Sequence, residues 1–267
     1  MDLETPNTRP RKRYGQHFLH DPAVIQRIID LITTAGPHPL LEIGPGRGAL
    51  TCPLLRHVEH LDVIEIDSDL AGALAKTCAH PEKLTVYRTD VLKFDFRTHA
   101  AGRKLRLIGN LPYNISTPLL FHLLAYSDCI EEMLFMLQRE VAERICALAG
   151  TRQYGRLSIM VQSMCRAESL FTVGPGAFTP APRVESAVIR LVPFPEHDRP
   201  LTERTLFSRL VRTAFSHRRK TLRNALKGQV SEATFLQLGI SPTARPQDLT
   251  VADYVKITNA LHEDKSG

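Results

Sequence analysis

Four consecutive residues, Asn110-Leu111-Pro112-Tyr113, bring an amide oxygen, a rigid turn and an aromatic face into one short segment. Pro112 fixes its own φ and has no N–H, which stiffens the chain there. Tyr113 offers a plane for a base withdrawn from its stack, an interaction worth about 1–3 kcal/mol per base. An exocyclic amine such as adenine N6 is a poor nucleophile because its lone pair is delocalised into the ring. Acceptors that hold its protons draw it toward tetrahedral geometry, and Asn110 Oδ1 with the Leu111 carbonyl suits that task. In isolation, the same tetrapeptide is more readily a β-turn after a strand.

Its context changes that balance. Leu40-Leu41-Glu42-Ile43-Gly44-Pro45-Gly46-Arg47-Gly48 reads as a strand entering a glycine-rich turn, where the backbone can approach a ligand without Cβ clashes. Gly44-x-Gly46-x-x-Ala49 also fits the dinucleotide fingerprint, so a nicotinamide-dependent oxidoreductase stays open at this point. Glu65 lies at the end of the next strand, placed to accept both hydroxyls of a ribose. Asp90 follows the third strand, either as an acceptor for an adenine amino group or as a helix N-cap, and the two readings stand level. The glycine turn, Glu65, Asp90 and Asn110–Tyr113 fall in order on successive strand ends, which favours one ligand site over four coincidences.

The elements that must position these groups follow from hydropathy. Asp21-Pro22 begins a helix carrying Val24, Ile25, Ile28, Ile29 and Ile32 at helical spacing. Strands are expected over 39–43, 61–66, 84–87, 105–108 and 133–137. Their alternation with helices implies βαβ units and a mainly parallel sheet. Beyond Tyr154, residues 157–164 and 187–192 are rich in β-branched side chains and read as closing antiparallel strands. Residues 194–200 carry two prolines and precede a tail with helical spacing over 205–215 and 222–230 and a Thr250–Asp253 capping box. The expected fold class is α/β with a smaller C-terminal all-helical domain. The expected domains are residues 1–198, with 1–13 as a flexible basic arm, and 199–267.

At these residues the chain resembles the adenine-N6 ribosomal RNA dimethyltransferases, a family that includes a small-subunit group and the macrolide-resistance enzymes of large-subunit RNA. The resemblance rests on Tyr14-Gly15-Gln16-His17-Phe18-Leu19, on Glu42 to Gly48, on Asn110 to Tyr113, and on Phe178-Thr179-Pro180-Ala181-Pro182-Arg183-Val184-Glu185-Ser186. It implies a Rossmann-like class I methyltransferase sheet and S-adenosyl-L-methionine as cofactor, with no metal. By the same resemblance His17 and Leu19 close over the methionine moiety, Gly44 and Gly46 line it, Glu65 takes the ribose, Asp90 the adenine, and Asn110 bridges cofactor and target. Leu111, Pro112 and Tyr113 complete the catalytic loop, and Phe178 sandwiches the base opposite Tyr113. Dimethylation of adenosines, two adjacent ones in 16S ribosomal RNA, is likewise implied rather than read from spacing.

Charge bears on the partner. Lys and Arg number 34 against 28 Asp and Glu, a net charge of +6, and the pI is near 9.2. Seven basic residues and no acidic ones lie between Thr205 and Lys227. A charge run is often only a solvated helix face. Residues 214–224 also resemble the small-subunit group, which implies that Arg218, Arg219, Lys220 and Arg223 meet RNA phosphates. The expected partner is therefore the RNA of an immature small ribosomal subunit, bound by a monomer. The alternatives are a resistance-type enzyme acting on large-subunit RNA, an assembly checkpoint that chiefly docks on RNA, and an adenine-modifying DNA enzyme.

Five widely spaced cysteines argue against a disulfide framework or a zinc ribbon and suit a reduced cytoplasm. Residues 1–16 lack an apolar signal core, and no apolar run reaches bilayer length, so a soluble, unprocessed protein without membrane partners is expected.

Overall fold

The computed structural model describes residues 16–34, 36, 38–195 and 203–266. The basic arm expected over 1–13, Tyr14, Gly15 and the 198/199 boundary lie outside them.

The chain enters as β1 (Phe18–Leu19) and α1 (Pro22–Thr33), whose start is set by Asp21 accepting from the Ala23 and Val24 N–H groups, with Pro at the first position. There follow β2 (Leu40–Ile43), α2 (Thr51–Leu54), β3 (Leu61–Ile64), α3 (Ser68–Thr77), β4 (Leu84–Tyr87), α4 (Phe96–Ala100), β5 (Leu105–Asn110), α5 (Ser116–Leu124), β6 (Ile130–Gln138) and α6 (Arg139–Cys146). Next come α7 (Arg156–Gln162), β7 (Cys165–Val173), β8 (Phe178–Thr179) and β9 (Ser186–Pro193). The tail is α8 (Arg204–Ser216), α9 (Leu222–Ala225), α10 (Glu232–Gln237) and α11 (Val251–Ser266).

Seven strands form one sheet in the order β4-β3-β2-β5-β6-β9-β7, and β1 pairs with β8 in a separate ribbon. The first five of the seven run parallel, and β9 returns antiparallel to β6. The chain leaves β2 toward β3 on one side and later enters β5 on the other. The crevice between the carboxyl ends of β2 and β5 is therefore the topological switch point, where ligands of open α/β sheets bind. Gly109 in β5 makes that junction possible. A Cβ there would stand 2.5 Å from the Ile43 carbonyl oxygen of β2.

Two compact units emerge, each with its own core. One reaches to Ala142 and resumes over Glu168–Pro193; the other joins Glu143–Ala167 to Phe194–Gly267. The helical unit thus includes a stretch of chain before the tail, which the expectation of one continuous domain from 199 left out. Its core gathers Tyr154 and Ile159 with Phe207, Leu210, Phe235 and Tyr254. The Thr250–Asp253 capping box is present, with Asp253 N–H donating to Thr250 Oγ1 and Thr250 N–H donating to Asp253 Oδ2.

Three expectations differ from the structure. Residues 157–164 are not a strand, because α7 covers 156–162. Leu157, Met160, Val161 and Met164 recur at the helical interval, and Ser158 Oγ accepts from the Gly155 N–H at the helix start; the strand comes next, over 165–173. The helix expected over 222–230 ends at Ala225, and Gly228 at φ 77° turns the chain. Cys52 and Cys78 form a disulfide, with Cα atoms 4.8 Å apart. They lie 26 residues apart in sequence, but α2 and α3 pack Leu54, Leu74 and Cys78 into one apolar cluster and so bring the two sulfurs together.

Candidate active site

A cavity of about 270 Å³ opens at the switch point. Its walls are the segment Gln16–Leu19, the glycine-rich turn Gly44–Arg47, Glu65 and Ile66 after β3, Thr89–Leu92 after β4, and Asn110–Pro112 at the end of β5. His17, Leu19, Gly44, Gly46, Glu65, Asp90, Asn110, Leu111 and Pro112 all line it. Tyr113 stands just outside, its ring stacked on His17 at 5.4 Å between centroids and 29° between planes. Phe178 does not line the cavity: it is 3% exposed and packs in the core with Leu19, Met136 and Val188.

The glycine-rich turn answers which ligand the cavity suits. A pyrophosphate needs free backbone N–H groups at a helix N-terminus. Here the Gly44 N–H donates to Ile64 O, that of Gly46 to Glu65 Oε2 and that of Gly48 to Pro45 O. The helix beyond the turn has only four residues. Glu42, Glu65 and Asp90 add acidic walls, while the Arg47 guanidinium lies over the Phe18 ring. With these three N–H groups engaged, the turn is poorly suited to a diphosphate.

Glu65 fits a ribose by its hydrogen bonds. Oε2 accepts from Gly46 N–H at 3.2 Å and Oε1 from Asp67 N–H at 2.9 Å. With backbone donors engaged, the carboxylate still has acceptor capacity for a hydroxyl. Burial pushes the Glu65 carboxyl up, against the lowering effect of those N–H donors. Asp90 caps the short 3₁₀ turn after β4, with Oδ1 accepting from Leu92 N–H. Capping and ligand binding are thus compatible in one carboxylate, since Oδ2 remains for an amine.

Asn110 is oriented by its neighbour. Its carboxamide meets the His17 carbonyl oxygen at 2.9 Å. A carbonyl only accepts, so Nδ2 must face His17, which leaves Oδ1 as the acceptor beside the cavity. His17 is held in turn by Nδ1 at 2.7 Å from Pro180 O, and Leu111 N–H donates to Met136 O on β6.

Glu42, a wall residue at the head of the glycine-rich motif, is 2% exposed and accepts from Thr51 Oγ1 at 2.6 Å. Burial first, opposed by the Thr51 bond and aided by the nearby Glu65 carboxylate, pushes its pKa up from 4.5 to about 7. The folded state therefore binds a proton that the unfolded chain releases between those values. The stability this confers is complete below pH 4.5 and is lost as pH rises through 7, by about 3 kcal/mol. Urea unfolding at pH 5 and pH 8 should show the wild type losing about that much more than Glu42→Gln; parallel losses would exclude it.

Ile66, half exposed at 49%, forms part of the same wall. Its signal in the sequence was only its place after Glu65. Among the tail residues, Arg218 is spent on structure: Nε donates to Gln247 Oε1 and a terminal nitrogen to Arg152 O. Arg219 and Lys220 are exposed, and Arg223 is exposed with Glu232 at 4.0 Å.

A family model described as ribosomal RNA adenine dimethylase matches residues 7–263. The chain belongs to this family. As a ribosomal RNA adenine dimethylase it is a methyltransferase, and the nicotinamide-dependent reading lapses. It is 53% identical over 252 residues to the ribosomal RNA small subunit methyltransferase A of Alcanivorax borkumensis, covering 94% of this chain and 90% of that one. With the protein of the same name from Nitrosococcus oceani it shares 51% over 257 residues, covering 96% and 97%. A solved dimethyladenosine transferase from Plasmodium falciparum superposes with a TM-score of 0.82 at 27% identity, over 93% of this chain and 98% of that one. A 23S rRNA methyltransferase, ErmE, shares the fold with a TM-score of 0.69 at 24% identity, over 92% and 99%. Among the described residues of this dimethylase, no helix is long and apolar enough to cross a membrane.

Proposed function

We propose that this chain uses S-adenosyl-L-methionine to dimethylate N6 of adenosines in small-subunit ribosomal RNA, acting as a cytoplasmic monomer on the immature subunit. The observation that carries the reading is Asn110, whose amide is fixed by His17 O so that Oδ1 stands beside the acidic cavity. The cofactor, when bound, supplies an electrophilic methyl group on a cationic sulfur. Glu65 would hold its ribose, Asp90 its adenine amine, and Gly44, Gly46, His17 and Leu19 would line the remainder.

The chain's own contribution is orientation, desolvation and acceptors. Asn110 Oδ1 and the Leu111 carbonyl would each accept a hydrogen bond from an N–H of the target amine, drawing its nitrogen lone pair out of conjugation as the methyl leaves sulfur for nitrogen. One of those protons then passes to water. Tyr113 supports the flipped base from beside His17, and Pro112 keeps the loop from yielding. Leu119 and Leu120 on α5 are buried, which seats the helix that follows this loop.

Relatives at 51–53% identity that carry the small-subunit name support that substrate over large-subunit RNA. Arg219, Lys220 and Arg223 would meet phosphates, a reading their exposure supports, while Arg218 bonds to the 152 and 247 segments. Incubating the purified chain with methyl-labelled cofactor and either immature small or large subunits tests the proposal. Label should enter small-subunit RNA, two methyl groups per target adenosine; label confined to large-subunit RNA would overturn it.

A further inference from the structure

We infer that Ser186 is a positioning residue for methyl transfer, acting through the Tyr113 hydroxyl, with which it shares a hydrogen bond of 2.7 Å. The inference rests on Tyr113 being the platform for the target base.

Ser186 has a polar side chain and is fully buried, at 0% exposure, as the first residue of β9. Its position is set from two sides. It pairs with Gln138 at the end of β6, and the preceding residue is held to Arg139 twice, by Arg139 N–H donating to Glu185 O and by an ion pair between the two side chains. β6 also receives the target loop, since Asn110 pairs with Met136 and Leu111 N–H donates to Met136 O. The Ser186–Tyr113 bond therefore closes a ring of contacts in which β5, β6 and β9 together fix the aromatic plane.

A Tyr side chain has two free torsions, and the proline before it does not restrain them. Stacking on His17 limits one face of the ring. The hydroxyl bond restrains the far end, so that the ring keeps its plane when no base is present. Burial pushes the phenol up in pKa and keeps it protonated, so it can donate as well as accept. Phe at position 113 would stack as well but could not be held at its tip.

The test is a double-mutant cycle in the full chain, with immature small subunits as substrate, comparing wild type, Tyr113→Phe, Ser186→Ala and the double variant. Each single change should lower kcat about two- to tenfold, the worth of one net hydrogen bond, with the cofactor KM unchanged. The double variant should be no slower than either single one, because the bond is lost only once. Ser186→Thr, which keeps the hydroxyl, should recover most of the rate. An equal loss from Ser186→Ala in the wild-type and Tyr113→Phe backgrounds, or a loss falling on cofactor KM, would overturn the inference. Should Ser186→Ala fail to fold, Ser186→Cys keeps the volume with a weaker donor and enters the same cycle. Tyr113→Ala separates the two levels: near-normal turnover would remove the platform reading itself, whereas a severe loss with an additive cycle would remove Ser186 alone.

Discussion

Asn110→Ala lowers kcat by about 10²–10³-fold, the scale seen when one oriented polar group at a reacting centre is removed, while the cofactor still binds within a few-fold of its normal affinity. The asymmetry follows from what Asn110 touches. In the proposed mechanism its Oδ1 accepts a hydrogen bond from the target amine, and no other side-chain carboxamide from the catalytic loop lines the cavity except Asn114. Its Nδ2 holds the His17 carbonyl, but the surrounding strand is also fixed by β1–β8 pairing and by His20 N–H to Ala177 O. Glu65, Asp90 and the glycine turn remain intact. Asn110→Asp is a sharper comparison, because it keeps an acceptor but sets a carboxylate against the His17 carbonyl; it should lose activity as well. Single-turnover methylation with calorimetric titration of the cofactor reads both quantities, and near-normal turnover of Asn110→Ala would refute the assignment.

Gly109→Ala should be the most damaging conservative change in the sheet. Its Cβ would meet the Ile43 carbonyl at 2.5 Å and a Leu111 methyl at 3.3 Å. The first obstacle is backbone of the neighbouring strand and cannot swing aside. Separating β5 from β2 costs about 3 kcal/mol by the scale of overpacked cores, or roughly 6–12 °C in Tm. It also spreads the crevice that holds Gly44 and Asn110, so cofactor affinity should fall with stability. Gly174→Ala is the control, since nothing lies within 4 Å of its Cβ and its φ is −70°. Thermal unfolding of both variants decides the matter; equal midpoints would show that β5 and β2 tolerate the added methyl.

These two residues also show what could be read without coordinates. Asn110 was legible because four ligand-type signals fell on successive strand ends, and strand ends of a parallel sheet converge. Glu65 and Asp90 were legible for the same reason. Gly109 was visible only as a letter in a motif, because its requirement is a contact with Ile43, 66 positions away in the chain. Ser186 was hidden similarly: its partner Tyr113 lies two strands across the sheet.

Other departures have local causes. Residues 157–164 satisfy both a β-branched composition and a 3–4 residue repeat, and packing of Ile159 against Phe207 and Leu210 goes with the helix. The Cys52–Cys78 pair left no trace in spacing, since proximity came from how α2 and α3 pack. Arg218 had the same charge as its neighbours, and only the Gln247 and Arg152 contacts distinguish a strut from an exposed cation. Phe178 sits in a segment that matches a family motif, yet its side chain joins the core.

In the proposed mechanism one crevice holds the methyl donor against Glu65 and Asp90 and presents the target amine to Asn110. A crystal structure of the full chain with S-adenosylhomocysteine and adenosine measures this directly. Both ribose hydroxyls of the cofactor product should lie on Glu65, its adenine amine on Asp90, and the amine of the second adenosine within hydrogen-bond distance of Asn110 Oδ1. A cofactor product lodged away from the Gly44–Gly48 turn, or an adenosine seated with its amine turned from Asn110, would contradict it.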